Sequence, residues 1–275
     1  MFGLEELKGK FAKYTLDTLP HSIVLLGKRG SGKHSLAAYI AECVGLRHLD
    51  VTDLIDEEYI FNIYRCPTPY VYVIDLDELG DGDKKQNVLL KLFEEPSPTA
   101  FVILLSNNKT TVLPTLLNRG AVFTIPPYNA GELETFAKES NIDVEKDYLR
   151  TILLTPGDIK RFYSDNINAK AAKELIDKII NKMPVASYGN TLTIADKLNY
   201  KDEYDKIDLD FFFRCLLFSL FQKYVQQNDE ISLKLYYFVD DVYTKLNKDS
   251  RLNKQITMRN TLSRMWEIVH TAKEA

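Results

Sequence analysis

The sequence has few cysteines, no long apolar run and no excess of positive charge. Its three cysteines, Cys43, Cys66 and Cys215, are too few and too scattered for a disulfide framework or a four-ligand zinc site. This scarcity predicts a reducing, cytoplasmic setting without zinc. The segment from Met1 to Lys13 carries charges throughout, and no stretch of about 18 apolar residues exists to cross a bilayer. We therefore expect neither a signal peptide nor a membrane span.

The charge balance argues against a protein that grips nucleic acid alone. The formal net charge is -4 and the pI is near 5.7, whereas contacts to the phosphate backbone need clustered Lys and Arg. Any DNA contact is therefore expected to be local or shared with partners. With 275 residues, of which 45% are hydrophobic, the chain is long enough to bury a core in two or three domains.

The first 125 residues alternate short apolar runs with helix-period segments, a pattern typical of parallel strands joined by crossover helices. The fold class predicted from this pattern is α/β, with a doubly wound parallel sheet. The predicted strands are Ile23–Leu26, His48–Val51, Tyr70–Ile74, Phe101–Leu105 and Val122–Ile125. The predicted helices are Lys33–Val44, Asp53–Tyr64, Lys84–Glu94 and a short one after Leu113.

Two prolines, Pro126 and Pro127, end the strand pattern, and amphipathic helical patterns follow. We therefore predict an α/β domain at residues 1–127, a small helical domain at 128–184 and a second helical domain at 185–275. The small domain is predicted to hold helices at Ala130–Glu139, Glu145–Leu154, Gly157–Tyr163 and Ala169–Lys182. The last domain is predicted to hold Leu209–Gln226, Ile231–Leu246 and Ile256–Ala272.

A glycine-rich segment directly follows the first predicted strand and opens a helix, as a phosphate-binding loop does. It reads Gly27-Lys28-Arg29-Gly30-Ser31-Gly32-Lys33. Glycines let backbone N–H groups curl around phosphate oxygens, and Lys33 would reach the β- and γ-phosphates. The other interpretation is an ordinary glycine-rich turn between a strand and a helix. We expect nucleotide binding by Gly27, Gly30, Ser31, Gly32 and Lys33.

The residue after Lys33 departs from the usual loop. A Ser or Thr at this position normally ligates magnesium through its hydroxyl, but here it is His34. Imidazole is a poor ligand for a hard cation that prefers oxygen. Ser35 comes one residue later, and on a helix it points about 100° away. The sequence therefore predicts that His34 lines the nucleotide site with weakened metal coordination.

A second departure follows the predicted strand at Tyr70–Ile74. Asp75 stands at its end, where a carboxylate could support magnesium through water. Hydrolysing proteins of this kind carry a Glu next, which polarises the attacking water, but here the residue is Leu76. Asp77 and Glu78 are nearby but displaced along the chain. The other interpretation of this stretch is an acidic turn after a buried strand.

Two further segments make a family resemblance specific. A predicted helix ends in Phe93-Glu94-Glu95-Pro96, and the strand from Phe101 leads to Leu113-Pro114-Thr115-Leu116-Leu117-Asn118-Arg119-Gly120. They resemble the Leu-Glu-Glu-Pro and Leu-Pro-Thr-Ile-Leu-Ser-Arg-Cys motifs of clamp-loader AAA+ proteins. The Leu-Pro-His signature of that family also precedes the first strand, as Leu19-Pro20-His21. Over about residues 4–165 the chain resembles this family, and within it the delta-prime type of DNA polymerase III, which is related to gamma/tau and replication factor C small subunits.

The resemblance implies roles for individual residues. Arg119 matches the arginine of Ser-Arg-Cys, which in this family projects into the ATP site of the neighbouring subunit. Asn118 and Gly120 depart from the flanking Ser and Cys. Asn107 matches the sensor-1 position, where an amide could hydrogen-bond the attacking water or the γ-phosphate, and Asn108 is the adjacent alternative.

The family also has a sensor-2 arginine after a Gly-Asp pair. Here the run Gly157-Asp158-Ile159 is followed by Lys160, which keeps the charge but loses the bidentate fork, and Arg161 beside it is expected to face elsewhere. Bacterial relatives insert a four-cysteine zinc module, but only Cys43 and Cys66 fall in that interval. The resemblance therefore implies ATP or ADP, with or without magnesium, and no zinc.

The family further implies a nucleotide-binding domain, a helical lid and a helical collar. Its partners would be other clamp-loader subunits in a hetero-oligomeric ring, a sliding clamp and primer-template DNA. Because the magnesium hydroxyl and the catalytic Glu are replaced while Arg119 remains, the sequence favours a delta-prime-like stator with little or no hydrolysis. Two alternatives stay open: an active ATPase subunit that uses Asp77 or Glu78 as base, and a P-loop signalling or kinase-like enzyme. The Asn118–Arg119 segment and the helical C-terminal part argue against the second.

Overall fold

A computed structural model describes residues 2–79, 82–163, 169–197, 209–248 and 254–274. Its contacts divide the chain into two compact units. The first comprises Met1–Asp143 and Leu154–Asp158, and the second comprises Val144–Leu153 and Ile159–Ala275. The predicted domain limits after residues 127 and 184 stay predictions. None of the helices in the described ranges has the length and apolar character needed to cross a membrane.

The first unit contains a sheet of five parallel strands in the order β2-β3-β4-β1-β5. This arrangement confirms the predicted α/β class and the doubly wound parallel sheet. β1 is followed in sequence by β2 at the edge of the sheet, and the chain returns through β3 and β4 before it passes β1 to form β5. The strands are β1 (Ser22–Leu26), β2 (Arg47–Asp50), β3 (Tyr70–Asp75), β4 (Ala100–Ser106) and β5 (Ala121–Thr124).

The three central strands form the core of this sheet. Every residue of β1 and β4 is buried, and so is every residue of β3 after Tyr70. Strands covered on both faces read as continuous apolar runs, which is why these segments were identifiable from sequence. The edge strand β2 is mostly exposed and reads Arg-His-Leu-Asp. The apolar core therefore supports the carboxyl ends of β1, β3 and β4, where polar residues follow.

Helices flank the strands of the first unit. They are α1 (Glu5–Phe11), α2 (Lys33–Cys43), α3 (Glu57–Arg65), α4 (Gly82–Glu94), α5 (Pro114–Arg119) and α6 (Ala130–Glu139), with 3-10 turns at Thr52–Leu54 and Lys109–Thr111. Helix α1 was not predicted. The helix predicted from Asp53 begins only at Glu57, because the Asp56 side chain accepts the Tyr59 N–H at 2.7 Å and caps it there.

The second unit is helical in its described ranges. Its helices are α8 (Ala169–Lys182), α9 (Tyr188–Lys197), α10 (Leu209–Gln227), α11 (Glu230–Lys248) and α12 (Lys254–Glu274), and α7 (Pro156–Phe162) begins in the first unit. Helices α8, α10, α11 and α12 confirm the predicted pattern, whereas α9 was not predicted. Three consecutive buried phenylalanines, Phe211, Phe212 and Phe213, anchor α10 in this unit.

The helix predicted over Glu145–Leu154 is wrong. Only Lys146–Tyr148 forms a 3-10 turn, and Arg150 takes a left-handed conformation with φ of 67°. The carbonyl of Tyr148 accepts the N–H groups of Ile152 and Leu153 at 2.9 and 2.8 Å, and Arg150 donates back to the Leu153 carbonyl. The chain therefore folds into a tight turn, because a side chain with positive φ cannot continue an α-helix.

Candidate nucleotide-binding site

The glycine-rich loop lies between β1 and α2, as the sequence predicted. β1 ends at Leu26, and α2 begins at Lys33 with Gly32 as its N-cap. Gly30 and Gly32 have φ of 76° and 97°, conformations that other residues rarely adopt. The first N–H groups of a helix have no partner within it, and Gly32 has no side chain to cap those of α2. These groups carry the positive end of the helix dipole, which favours an anion.

The loop has the space and the donors that a phosphate group needs. A Cβ atom at Gly27 would lie 2.7 Å from Ser31 Oγ and 3.0 Å from Ile125 Cβ, so only glycine fits there. Within the described residues, Ser31 Oγ is a buried side-chain atom without a hydrogen-bond partner. A buried hydroxyl without a partner is costly unless a ligand satisfies it. The residues present therefore fit the phosphates of a nucleotide.

Lys33 links this loop to the end of β4. Its side chain is buried, with 6% of the residue exposed, and Nζ donates to the Gly27 carbonyl at 2.8 Å and to Asn107 Oδ1 at 2.6 Å. Burial lowers the pKa of Lys33, while the nearby carboxylates of Asp77 and Asp75 oppose that shift. The ammonium group thus lies among the loop, the sensor-1 candidate Asn107 and two acidic residues.

His34 contacts Asp75 across the site. Its Nε2 lies 3.1 Å from Asp75 Oδ2, and its Nδ1 lies 3.7 Å from Asp50 Oδ2. The hydrogen bond to Asp75 raises the pKa of His34 and outweighs the opposing effect of burial. Burial alone would raise the pKa of Asp75, but hydrogen bonds from His34 and the backbone of Asp77, with the charge of Lys33, lower it. The arrangement favours an imidazolium paired with a carboxylate.

Magnesium does not fit this donor set. Asp75 Oδ2 is beside His34 Nε2, and Asp75 Oδ1 accepts the Asp77 N–H at 3.0 Å. Both carboxylate oxygens therefore already have protein donors, and the imidazole occupies the position of the usual hydroxyl ligand. In the described part of the chain, no group of three or more His, Cys, Asp or Glu side chains is placed to hold a metal ion. The predicted role of Asp75 in supporting magnesium through water stays a prediction.

The three residues after Asp75 differ in their surroundings. Leu76 is buried in the core, with 6% exposed. Asp77 Oδ2 accepts the backbone N–H of Asn107 at 2.6 Å, and burial raises the pKa of this carboxyl group. Glu78 is exposed. We call the stretch Asp75–Glu78 the acidic edge. The carboxylates of Asp75 and Asp77 in it both accept hydrogen bonds from neighbouring backbone N–H groups.

The two asparagines after β4 have different surroundings. Asn107 Oδ1 accepts from Lys33, as described above, whereas Asn108 Oδ1 accepts the Thr110 N–H at 3.1 Å and caps a 3-10 turn. Ser106 Oγ, at the end of β4, donates to the Asn108 carbonyl at 3.0 Å. Of the two sensor-1 candidates, Asn107 is the one that the fold brings to the loop.

The sensor-2 candidates lie in the second unit. Lys160 is exposed on α7, and the Arg161 guanidinium lies 3.5 Å from Asp210 Oδ2. The pairing agrees with the expectation that Arg161 faces another group. A role of Lys160 at the nucleotide stays a prediction.

Arg119 lies at the last turn of α5, on the surface. Its Nη2 is 3.0 Å from Glu94 Oε1, its Nη1 donates weakly to the Thr115 carbonyl at 3.3 Å, and 40% of its side chain is exposed. A Cβ atom at Gly120 would lie 3.0 Å from both the Phe93 ring and a Val24 methyl group. Phe93 therefore fills the space that the family's Cys would need.

Sequence reasoning missed several residues that support the site. Gln86 is buried on α4, where its amide donates to the Thr111 carbonyl and accepts the Leu113 N–H, each at 2.9 Å. It fixes the segment that leads to Arg119. A lone amide three residues before Leu89, on the buried face of α4, was the available signal. Thr52 Oγ1 likewise accepts the Asp75 N–H at 2.9 Å, and no pattern in the sequence indicated it.

Comparison with known proteins supports the family resemblance over part of the chain. Residues 71–129 match the family model described as DNA polymerase III, delta subunit. This range contains the acidic edge, Asn107 and Arg119, and the match confirms a clamp-loader-like AAA+ segment. The delta-prime type is not distinguished by it. No curated protein matches the chain.

Solved structures with a similar arrangement include the RuvB Holliday junction branch migration motor of Thermotoga maritima and a point mutant of the same RuvB. Each is 16% identical to this chain and covers 76% of it, with 87% of the other chain matched. The TM-scores are 0.46 and 0.45. At these values the likeness carries no inference about activity.

Proposed function

We propose that this clamp-loader-like AAA+ protein is a delta-prime-like stator of a replicative clamp loader. It binds ATP or ADP at the glycine-rich loop and hydrolyses little or none. It supplies Arg119 in trans to the ATP site of a neighbouring subunit while a sliding clamp is loaded. Its partners are the other subunits of a hetero-oligomeric ring, the clamp and, through the assembly, primer-template DNA.

The observation that carries this proposal is the contact between His34 and Asp75 at 3.1 Å. Metal-assisted phosphoryl transfer needs a metal held by a hydroxyl and a carboxylate, and a group that orients the attacking water. Here an imidazole engages the carboxylate, and Leu76 provides no proton acceptor. The loop and Lys33 keep their phosphate-binding donors. Binding without hydrolysis is the chemistry that this combination supports.

Arg119 is suited to act on a neighbour. A guanidinium has five N–H donors, and the contacts to Glu94 and Thr115 engage only part of them. Its partial exposure leaves the planar edge accessible to a phosphate from another chain. In other phosphoryl-transfer enzymes an arginine finger contributes roughly 10³ to 10⁵ in rate. An effect of that kind appears only in the assembled complex.

An active ATPase with Asp77 as base is the second candidate, favoured by one observation. Burial raises the pKa of Asp77 above its ordinary value, the direction that a general base needs, and its carboxylate lies beside the Asn107 backbone. However, that carboxylate accepts the Asn107 N–H, which stabilises its ionised form at this place and lowers its basicity. Glu78, the other base considered, is exposed. No contact in the described residues favours a kinase-like enzyme.

The test is the ATPase activity of the complex that copurifies with the tagged chain from its native cells. Arg119→Ala should leave the chain folded and the complex assembled, because an exposed arginine contributes little to stability. It should lower the DNA- and clamp-stimulated ATPase at least by the fraction of the total activity that comes from the one ATP site that Arg119 serves. Arg119→Lys should restore only part of the loss, since an ammonium lacks the planar fork.

Arg65→Ala is the matched control, because Arg65 is also an arginine of the first unit but contacts Phe61. It should leave complex activity unchanged. Full activity of the Arg119→Ala complex, with unchanged composition, would show that Arg119 is only a surface residue and would end the finger assignment.

A further inference from the structure

The carbonyl oxygens of the glycine-rich loop are fully hydrogen-bonded. Each peptide carbonyl from Gly27 to Gly32 accepts at least one donor. Three of these bonds are local, from within the loop or from α2. They join Gly27 O to Lys33 Nζ at 2.8 Å, Lys28 O to Ser31 N at 3.0 Å, and Gly32 O to Leu36 N at 2.8 Å.

The other three bonds come from residues distant in sequence but within the same unit. Two donors belong to the segment 154–158, Thr155 just before α7 and Gly157 in its first turn, and the third is a tyrosine that follows β5. Each bond is 3.0 Å long: Thr155 Oγ1 to Arg29 O, Gly157 N to Gly30 O, and Tyr128 Oη to Ser31 O. We call Tyr128, Thr155 and Gly157 the carbonyl brace.

Two of the brace bonds, from Thr155 and Tyr128, fix the direction of loop N–H groups that face a ligand. The third, from Gly157, belongs to the peptide whose Ser31 N–H donates to Lys28 O within the loop. In a planar trans peptide, the N–H points opposite to the carbonyl of the same peptide unit, and the described residues contain no cis peptide bond. The Arg29 carbonyl faces Thr155, so the Gly30 N–H points away from the brace. The Ser31 carbonyl faces Tyr128, so the Gly32 N–H does the same. Outward carbonyls and inward N–H groups are what an anion cradle requires.

The residues of the brace are closely packed against the loop and are shielded from solvent. Tyr128 is 5% exposed and Thr155 is 2% exposed, so water has little access to their hydroxyl groups. The single hydroxyl proton of Tyr128 is shared between the carbonyls of Ser31 and Phe2, each 3.0 Å away. A Cβ atom on Gly157 would overlap the Cα of Gly30, and one on Gly30 would lie 2.7 Å from Thr155 Oγ1. The backbones can therefore approach only because both positions are glycine.

We propose that Tyr128, Thr155 and Gly157 are positioning residues that hold the loop N–H groups in place for the pyrophosphate part of a nucleotide. The brace acts through the loop and touches no phosphate itself. This proposal rests on the nucleotide-binding part of the proposed function and is independent of Arg119. Because the donors are backbone groups and Lys33, the site takes polyphosphate without a divalent cation.

Calorimetry on the full chain, with ADP and separately with inorganic pyrophosphate in the presence of EDTA, tests the brace. Tyr128→Phe removes one hydroxyl and should weaken both ligands by roughly two- to tenfold, the range for one hydrogen bond. The loss should be the same for both, because the brace shapes the phosphate cradle and not a base pocket. Gly157→Ala should weaken both more strongly, since its methyl group displaces Gly30.

Thr155 offers a rescue experiment. Thr155→Val loses the hydroxyl that donates to Arg29 O and accepts the Asp158 N–H at 3.1 Å, and it should bind ADP less tightly. Thr155→Ser keeps the hydroxyl and should bind like the wild type. A role in filling space alone predicts the reverse, because valine keeps the volume that serine loses.

Two control variants separate positioning from general damage. Tyr72→Phe removes a hydroxyl from another buried tyrosine of the same unit, and Gly9→Ala adds a methyl group where nothing lies within 4 Å. Both should bind ADP like the wild type, with thermal melts confirming that all variants are folded. If wild type binds ADP while Tyr128→Phe and Gly157→Ala bind it equally well, the brace is refuted alone. If wild type binds neither ligand, the nucleotide-binding part of the proposed function fails together with the brace.

Discussion

The glycine-rich loop and the acidic edge contribute to the same candidate site. The loop retains the residues expected for phosphate binding, whereas the acidic edge lacks residues expected for hydrolysis. The loop keeps its glycines, its helix N-terminus and a buried Lys33, and the carbonyl brace holds it from behind. The acidic edge keeps Asp75, but His34 engages it and Leu76 replaces the base. Phosphate binding and hydrolysis depend on separate residues, so a protein can lose one and retain the other.

The difference has a physical origin in the kind of group that each region uses. In the proposed function the loop binds phosphate through many backbone N–H groups, whose directions are fixed by glycine conformations and by several hydrogen bonds. Loss of one side chain therefore leaves most donors in place. Hydrolysis depends on single side chains at single positions, and in the proposed function His34 and Leu76 stand where the metal ligand and the base would be.

Replacing Lys33 should produce the largest effect on the loop side. Lys33→Ala removes a charged donor that also bonds Gly27 and Asn107, and we expect ADP affinity to fall roughly 10- to 100-fold. Adding EDTA to the wild type should change the affinity by less than about twofold, because magnesium does not fit the site. Titration calorimetry with and without EDTA measures both.

Lys84→Ala is the control for that experiment, since Lys84 is an exposed lysine on α4, and it should leave ADP affinity unchanged. A magnesium effect larger than the Lys33→Ala effect would contradict the contrast between the two regions.

Replacing His34 should allow the acidic edge to contribute to nucleotide binding through magnesium. His34→Thr restores a hydroxyl at the metal position and frees Asp75 Oδ2, so magnesium should strengthen ADP binding several-fold in this variant but not in the wild type. His48→Thr changes an exposed histidine on β2 and should gain no magnesium dependence. ADP titrations with and without magnesium measure both variants. The same magnesium response in His34→Thr and in the wild type would show that His34 is not what prevents coordination.

The smallest expected effect is a pH dependence of stability from the pair of His34 and Asp75. The pKa of His34 is raised above its ordinary value of 6.5, so its contribution is complete below that value and is lost as pH rises through the folded pKa. The pKa of Asp75 is lowered from 3.8, so its contribution persists above that value and is lost only as pH falls through the lower folded pKa.

His34→Gln should therefore lower Tm by about 1 to 2 °C near pH ~5.5, the size expected for a pair in which the His34 side chain is about half exposed. The difference from wild type should shrink toward pH ~8.5 as His34 loses its proton. Thermal melts of both proteins across this range measure it. A Tm difference that does not change with pH would mean that packing, and not charge, explains how the His34–Asp75 contact stabilises the protein.

Much of the first unit could be predicted from sequence. Continuous apolar runs identified the three central strands, since strands buried on both faces have apolar residues at nearly every position. The glycine pattern identified the loop, and the step from β3 to Asp75 identified the acidic edge. The sequence also placed His34 at the position of the usual metal ligand, and the structure shows that His34 contacts Asp75 directly. The effect of this contact on metal binding stays a prediction.

The parts that sequence missed depend on contacts between distant residues. Tyr128 and Thr155 meet the loop only after the chain has folded, and nothing in their local sequence indicates a hydroxyl aimed at a loop carbonyl. The prediction of a helix over Glu145–Leu154 was wrong because Arg150 adopts a left-handed backbone conformation, which an α-helix cannot continue through. The surroundings of Arg119 likewise depend on Glu94, which lies on a different helix.

The central claim is that this chain binds nucleotide without hydrolysing it. The most direct test incubates the purified wild-type chain with ATP and magnesium and follows bound ATP and released phosphate in the same sample. We expect saturable binding that Lys33→Ala weakens, with negligible phosphate release over many binding lifetimes. Turnover by the isolated chain at a rate comparable to an assembled clamp loader would contradict it.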